Sequence, residues 1–392
     1  MTGVFTSVLL LCVGCFQDVS VEVQQLTSTQ SEKAVWRGID AEKLTVQVGS
    51  QTKSFPIQTL KSLQFATAAA SEKSSGIVVA LSDGSLINPS QVLASSQAVQ
   101  LSLSPSLQIS VPAANIASVR LQELNEKQAT QWRAIQESRI AGDTLVVIRS
   151  TESVDKVEGS IVEINAERVL FEFNKQKIEA PRAKLAGLRF LTPSAKLQRI
   201  NAVVTDVNGN SLQVSKVASA SASSVELTLA CGATFQLPIS QLKAIDFSVG
   251  SIKYVAELTP LAQKQANSLA LKTPIAGVEQ LFGPQPVTIP QSPGPSIKML
   301  GSGSVTYRVP QEYVGLAGRV YLAPEGEQFT ACSVEIRQEN EVVWKGRLTH
   351  PNDRLDVSAK IVPESRLQLI VAADSSYPVG DAVIWQELRM MK

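Results

Sequence analysis

Four strings in this chain share one pattern: FPIQTLKSLQF (55–65), VPAANIASVRL (111–121), APRAKLAGLRF (180–190) and LPISQLKAIDF (237–247). Each has proline second, an aliphatic residue sixth and ninth, and Phe or Leu eleventh. A repeat at such spacing constrains the fold more than any composition does, because every copy must close a similar unit. Before each string the chain alternates apolar and polar residues in short runs, as in INAVVTDV, SLQVSKV, VELTLACG and ATFQL before Pro238. Asn208-Gly209 and Asp83-Gly84 sit between such runs as hairpin signals. Each unit therefore reads as four or five short strands, and about 50 residues suit a small SH3-like or Sm-like barrel whose thin core gains from pairing with another. Proline belongs at the first residue or edge of a strand, where no ladder N–H is lost. The three-residue spacing from sixth to ninth place favours one helical turn, and the two-residue spacing to the eleventh a closing strand. Leu242 is thus expected to seat the turn, and Ile245 and Phe247 to start the closing strand. A partner-binding strand edge is the competing reading of the motif, but its always-apolar positions fit a packing requirement better.

At 392 residues the chain is long enough for two to four domains, and 44% apolar content is too high for disorder. A net charge of +1 with interspersed charges gives no nucleic-acid-binding surface. The single histidine, His350, starves His-dependent triads and multi-His zinc sites. The apolar run Val8 to Phe16 is too short to span a bilayer and reads as the core of an export signal over 1–20. The segment Leu11-Cys12-Val13-Gly14-Cys15 resembles a lipobox, with Cys12 where Leu is usual, which would make Cys15 a lipidated mature N-terminus. That lipid would be the chain's only membrane attachment. Cys231 and Cys332 fall in different expected domains and are read as two buried thiols, not a disulfide.

The expected fold is all-β. Paired small barrels occupy 21–121 and 143–248, joined by a connector at 122–142 that carries one helix near 122–140 and packs Trp132 on a barrel. From 249 to 392 a proline-rich lead-in, with Pro284, Pro286, Pro290, Pro293 and Pro295, precedes seven alternating runs that read as a jelly-roll β-sandwich.

The segments IKYVAELTPL (252–261), GSVTYRVP (303–310), GRVYLAPEGE (318–327), SVEIRQENEVVWKG (333–346), RLDVSAKIVPESRLQLIV (354–371) and GDAVIWQELRM (380–390) resemble, in order, the NPCBM/NEW2 domain. That family is a carbohydrate-binding module with a galactose-binding-like jelly roll, and the resemblance covers 252–390. Its best anchors are Val334 through Val342-Val343-Trp344 and the Gly380-Asp381…Trp385 ending. Where the family often carries a His-containing Gly-rich segment this chain reads MLGSGSVTY, and an acidic doublet is thinned to Asp381. The N-terminal repeats resemble units found ahead of such modules in exported planctomycete-type proteins. With the export signal, the expectation is an exported binding protein, in the periplasm, cell envelope or secreted, without cofactor.

Sugar modules stack aromatic faces on pyranose C–H surfaces and bond hydroxyls with Asp, Asn, Arg or Glu. Tyr307, Tyr321, Trp344 and Trp385 lie within strands and read as core, whereas Tyr313 and Tyr377 lie on loops. Asp374 and Asp381 flank Tyr377, a pattern that suits a small ligand or a structural Ca²⁺ as well as an ordinary turn. His350, Asn352 and Asp353 form the other candidate loop, which as a plain solvated turn would contact nothing. Asp206-Val207-Asn208-Gly209-Asn210 lacks the length and terminal Glu of a calcium loop and reads as a hairpin tip. Three functions follow: a non-catalytic binder of carbohydrate or envelope glycan; a cell-envelope protein-interaction module that has lost sugar binding; and a carboxylate glycosidase, for whose catalytic barrel the repeats leave no room.

Overall fold

The structure, a computed structural model, describes residues 18–66, 75–95, 97–104, 107–191, 197–265, 285–287, 295–324, 331–351, 353–374 and 381–392. They form an all-β chain: four small units, one α-helix among the described residues, and a two-sheet sandwich.

Unit one shows the plan. Its strands Ser20–Gln25, Ser31–Ile39, Lys43–Val48, Gln51–Pro56 and Leu60–Phe65 form an antiparallel sheet in the order fourth, third, second, first, fifth. Units three (143–189) and four (202–246) repeat it, and in unit two (78–120) Pro89 splits the long second strand into Leu86–Ile87 and Gln91–Ala94. Each motif proline ends the fourth strand, the outer strand of its unit, so it takes the edge place expected of it and not the strand start. Its φ, between −53° and −60°, leads into a three-residue 3₁₀ turn: Ile57–Thr59, Ala113–Asn115, Arg182–Lys184 or Ile239–Gln241. Proline fixes that φ and removes an N–H only where the ladder has ended. The sixth and ninth residues then enter the core, with Leu60, Leu63, Ile116, Val119, Leu185, Leu188, Leu242 and Ile245 all buried. Leu242 begins the closing strand itself instead of seating the turn before it. Pro238→Ala should cost about 0.4–1 kcal/mol of stability, chiefly by freeing the unfolded chain. Chemical denaturation measures it; an affinity lost at unchanged stability would instead make the motif a ligand contact.

The closing strands also join the units. Leu60–Phe65 pairs with Leu242–Asp246, Leu63 opposite Ile245, and Ile116–Arg120 pairs with Leu185–Arg189, Val119 opposite Leu188. Unit one is thus fused to four and unit two to three, ninth motif residue against ninth, a pairing that crosses the chain order in which the sequence groups them. Units two and four then meet across a local two-fold. Val79 faces Ile87 in one and Val204 faces Leu212 in the other, so Ser85 corresponds to Asn210 and Asn88 to Gln213. The contacts are reciprocal: Gln213 N–H donates to Ser85 Oγ at 2.9 Å and Asn88 N–H to Asn210 Oδ1 at 2.6 Å, about the Leu86–Ser211 pair. The order in space is one, four, two, three.

The helix Glu126–Glu137 begins at a capping box between Asn125 and Gln128. It lays Trp132 on Val146, Val154 and Ala186 of unit three, the barrel contact expected of that tryptophan.

In the sandwich, one sheet runs Gln285–Val287, Ser296–Leu300, Asp381–Met391, Gly315–Pro324, Arg354–Lys360, with Ile252–Tyr254 also on Asp381–Met391. The other runs Ala262–Gln265, Gly303–Arg308, Arg366–Ala373, Cys332–Gln338, Glu341–Leu348. The described part of the proline-rich lead-in supplies only the edge strand Gln285–Val287, where a missing N–H costs least. Tyr307 and Trp385 are core residues as expected, whereas Trp344 and Tyr321 are half-buried. Cys332 is buried and Cys231 only half-buried, and no disulfide joins them; burial pushes the Cys231 thiol up to about 11.

The sandwich is fixed to unit one by a polar joint. The register of Asp381–Met391 slips opposite Gly318, and Glu387 takes φ 48° in the resulting bulge. A Cβ at Gly318 would lie 2.8 Å from Leu388 Cα, so only glycine allows that approach. The bulge aims Glu387 at Lys61 of unit one, Oε2 to Nζ 2.7 Å, both buried. Beside them the fully buried Arg389 donates to Leu26 O at 3.0 and 2.8 Å and to Ser28 O at 2.7 Å.

Candidate functional site

The register of the two sheets decides which predicted residues can meet. Asp381 opens its strand opposite Pro324, and Arg354 lies opposite Tyr321. In the facing sheet, Cys332 lies between Ala373 and Leu348. Gly301-Ser302, Ala331, Thr349, His350, Asp353 and Asp374 therefore all belong to one end of the sandwich. Of the predicted set, Asp374, Asp381, His350 and Asp353 share that end. Tyr313 does not: it follows Gly303–Arg308 and precedes Gly315–Pro324 at the opposite end, half-buried, with Lys392 Nζ 5.9 Å from its ring centre. Strand direction thus sets Tyr313 apart from the Asp374 and His350 loops. Tyr377 and Asn352 lie outside the described residues, as do Cys15 and nearly all of the expected export signal; Asp381 is placed by its backbone alone.

Within this end the turn at 349–353 is tightly made. Asp353 Oδ2 accepts from Thr349 N–H at 2.7 Å, Thr349 Oγ1–H at 2.9 Å and His350 N–H at 2.9 Å. Those bonds, the Thr349 amide first, hold the Asp353 carboxyl below its ordinary range. The His350 ring is exposed, with Nδ1 2.9 Å from Thr349 Oγ1. Asp374 accepts from Arg347 Nη2, and Ala373 N–H donates to Ser302 Oγ at 2.8 Å. The end therefore presents a carboxylate–guanidinium pair, a capped carboxylate and an imidazole at or just beyond strand ends. Such groups bond sugar hydroxyls as donors and acceptors. Among the described residues no three His, Cys, Asp or Glu side chains converge as a metal site, and no helix is long and apolar enough to cross a membrane.

Concavities also lie elsewhere, one of about 570 Å³ between units two and three, lined by Ile77, Ser90, Gln91, Ala166 and Arg182, and two others. A groove of about 770 Å³ runs between units one and four, lined by Asp40, Lys43, Pro56, Arg199, Lys216 and Phe247 among others. A polar cavity of about 190 Å³ sits at the joint, lined by Glu22, Gln24, Thr29, Ser62, Gln386 and Glu387 among others. Sequence reasoning missed all three, because each forms from residues far apart in the chain. It also missed the structural use of Asp206–Asn210. That segment is the hairpin tip expected, with Asp206 Oδ1 accepting from the Asn208 and Asn210 amides at 2.9 Å each, and its Asn210 supplies one of the two reciprocal bonds between units two and four.

No family model matches the chain, and no curated protein matches it. Solved structures similar to it include carbohydrate-binding modules, alone and beside other domains. CBM51 from Clostridium perfringens GH95, solved with methyl-galactose, is 12% identical and covers 36% of this chain and 100% of its own, with a TM-score of 0.27. CBM51-2 with INT domains from Clostridium perfringens ZmpB, solved with GlcNAc, is 10% identical over 48% of this chain and 43% of that one, TM-score 0.27. CsCBM6-3 from Clostridium stercorarium, solved with cellobiose, is 13% identical over 36% of this chain and 93% of its own, TM-score 0.22. At these TM-scores the likeness assigns neither a shared site nor a shared ligand.

Proposed function

We propose that this chain is an exported, non-catalytic protein whose C-terminal sandwich binds carbohydrate, in the manner the NPCBM/NEW2 resemblance implies. The observation that carries the reading is the polar end of the sandwich, where Arg347–Asp374, the Asp353 turn and the start of the Asp381 strand come together from both sheets. These groups are set on strand ends, a rigid base for hydrogen bonding to hydroxyls. The repeat array then serves as a spacer or docking platform.

The test is glycan-array binding by the intact chain, with and without Ca²⁺, followed by titration of any hit. Asp374→Ala should weaken binding about tenfold or more, since a hydrogen bond to a charged group is worth about 1.5–3 kcal/mol. Binding to no glycan, or an affinity unmoved by Asp374→Ala, counts against this end as the site.

A specific observation favours the second reading, an envelope protein-interaction module. Asp353 and Asp374 are already engaged by the protein's own groups. Partner capture from an envelope fraction that survives excess free sugar would support it.

A further inference from the structure

The outer strand of unit three, Gln176–Pro181, pairs among the described residues only with Arg168–Phe173. Its hairpin turns on two residues, Asn174 and Lys175, both with positive φ (49° and 64°). In such a hairpin the closing pair, here Phe173 and Gln176, exchanges both backbone bonds, and alternate residues then face inward. Gln176, Ile178 and Ala180 bond to the neighbouring strand, while Lys177 and Glu179 turn their N–H and C=O groups to the open edge. The next outward place is Pro181, which has no N–H to offer. On the face that elsewhere covers the core, this hairpin overruns it: Ile178 is 44% exposed and Phe173 38% exposed. The matching edge of unit one differs at the decisive place. There Lys53 stands where Ile178 does and is tied to Glu32.

We propose that two copies of this chain associate through this edge, their Gln176–Pro181 strands antiparallel about Ile178. In that register Ile178 meets Ile178 of the second copy, and Lys177 faces Glu179 on both sides. The two outward residues of each strand then exchange four backbone hydrogen bonds, and the exposed Phe173 and Ile178 side chains gain apolar cover. Glu179 keeps Arg168, 2.6 Å away on its own chain, as a second cation. The same self-pairing at unit one would bring Lys53 against Lys53. The order Lys-Ile-Glu makes the edge its own complement, and this selects a second copy over an unrelated strand.

Sedimentation velocity of the full chain over the micromolar range tests it. A concentration-dependent dimer is expected. Ile178→Lys, Lys177→Glu and Glu179→Lys should each weaken association about tenfold or more, because attractive cross-strand pairs become repulsive or lose their apolar partner. An equimolar mixture of Lys177→Glu and Glu179→Lys chains should regain the dimer, since every facing pair is again of opposite charge. All these positions are exposed, and an unchanged far-ultraviolet circular dichroism spectrum keeps misfolding apart from lost pairing. A chain that stays monomeric, a dimer indifferent to Ile178→Lys, or a mixture that fails to re-associate overturns the proposal.

Discussion

Glu387→Ala should lower stability by about 3–5 kcal/mol, the ordinary cost of leaving one member of a buried ion pair alone. Lys61 Nζ lies 2.7 Å from Glu387 Oε2 with both side chains under a tenth exposed, so the variant leaves a buried ammonium without its carboxylate. Burial first, then the charge of Arg389, already holds the Lys61 ammonium below its usual 10.5, with Glu387 working against them. Removing Glu387 removes that opposition. The sign of the pH dependence follows. A lysine whose folded value lies below its unfolded one binds its proton more readily when unfolded, so stability rises with pH through the window beneath 10.5. The Glu387→Ala deficit should therefore be largest near neutral pH and shrink in alkali, where Lys61 sheds its proton. Lys61→Met combined with Glu387→Leu should recover part of the loss, because Lys61 no longer stands unpaired while the buried Arg389 still loses the carboxylate 3.9 Å from it. Urea denaturation at several pH values measures all three; a deficit below about 1 kcal/mol would mean that water reaches the joint.

That joint marks where sequence reading stopped. The barrels were legible because proline, 3.6-type and two-residue spacings recur four times, and repetition separates pattern from accident. The sandwich was legible from alternation. The bulge at Glu387 was not read, although the doubled polar pair Gln386-Glu387 breaks the alternation between Trp385 and Leu388; the close pass of Gly318 makes the slip plain. Nor was the partnership of units legible. Leu63 meets Ile245 and Val119 meets Leu188 across 182 and 69 residues, and apolar residues in one motif carry no sign of which copy they face.

At the candidate site the sequence located the loops and failed on their relation. Asp374 with Asp381, and His350 with Asp353, were singled out as two separate loops by turn chemistry, and strand direction places both pairs at one end. Tyr313 was chosen because it lies on a loop, but a loop's end of the sandwich follows from how many strands precede it. The carboxylates also look freer in sequence than they are: Thr349 and Arg347, ordinary strand-end residues, occupy Asp353 and Asp374.

Trp132→Ala should cost about 3–5 kcal/mol, the range for truncating a buried tryptophan. Units one and three are built alike, yet their outer faces are finished differently. Where unit one has Gln24, Lys61 and Ser62, unit three has Val146, Ala186 and Gly187 at the same register positions. The first face is polar and takes the sandwich; the second is apolar and takes the helix Glu126–Glu137. The indole seats where Gly187 has no side chain, since a Cβ there would lie 2.7 Å from Trp132 Cη2 and 2.4 Å from Val119 O. Gly187→Ala should accordingly destabilise the same contact although it adds only one methyl, because the carbonyl it strikes belongs to the ladder joining units two and three. Hydrogen exchange can place both effects. Amides of 126–137 should lose protection in Trp132→Ala while those of the sandwich keep theirs, because the two covers lie on units at opposite ends of the spatial order. Equal loss of protection throughout would mean that the array unfolds as one cooperative body and that the helix is part of its core.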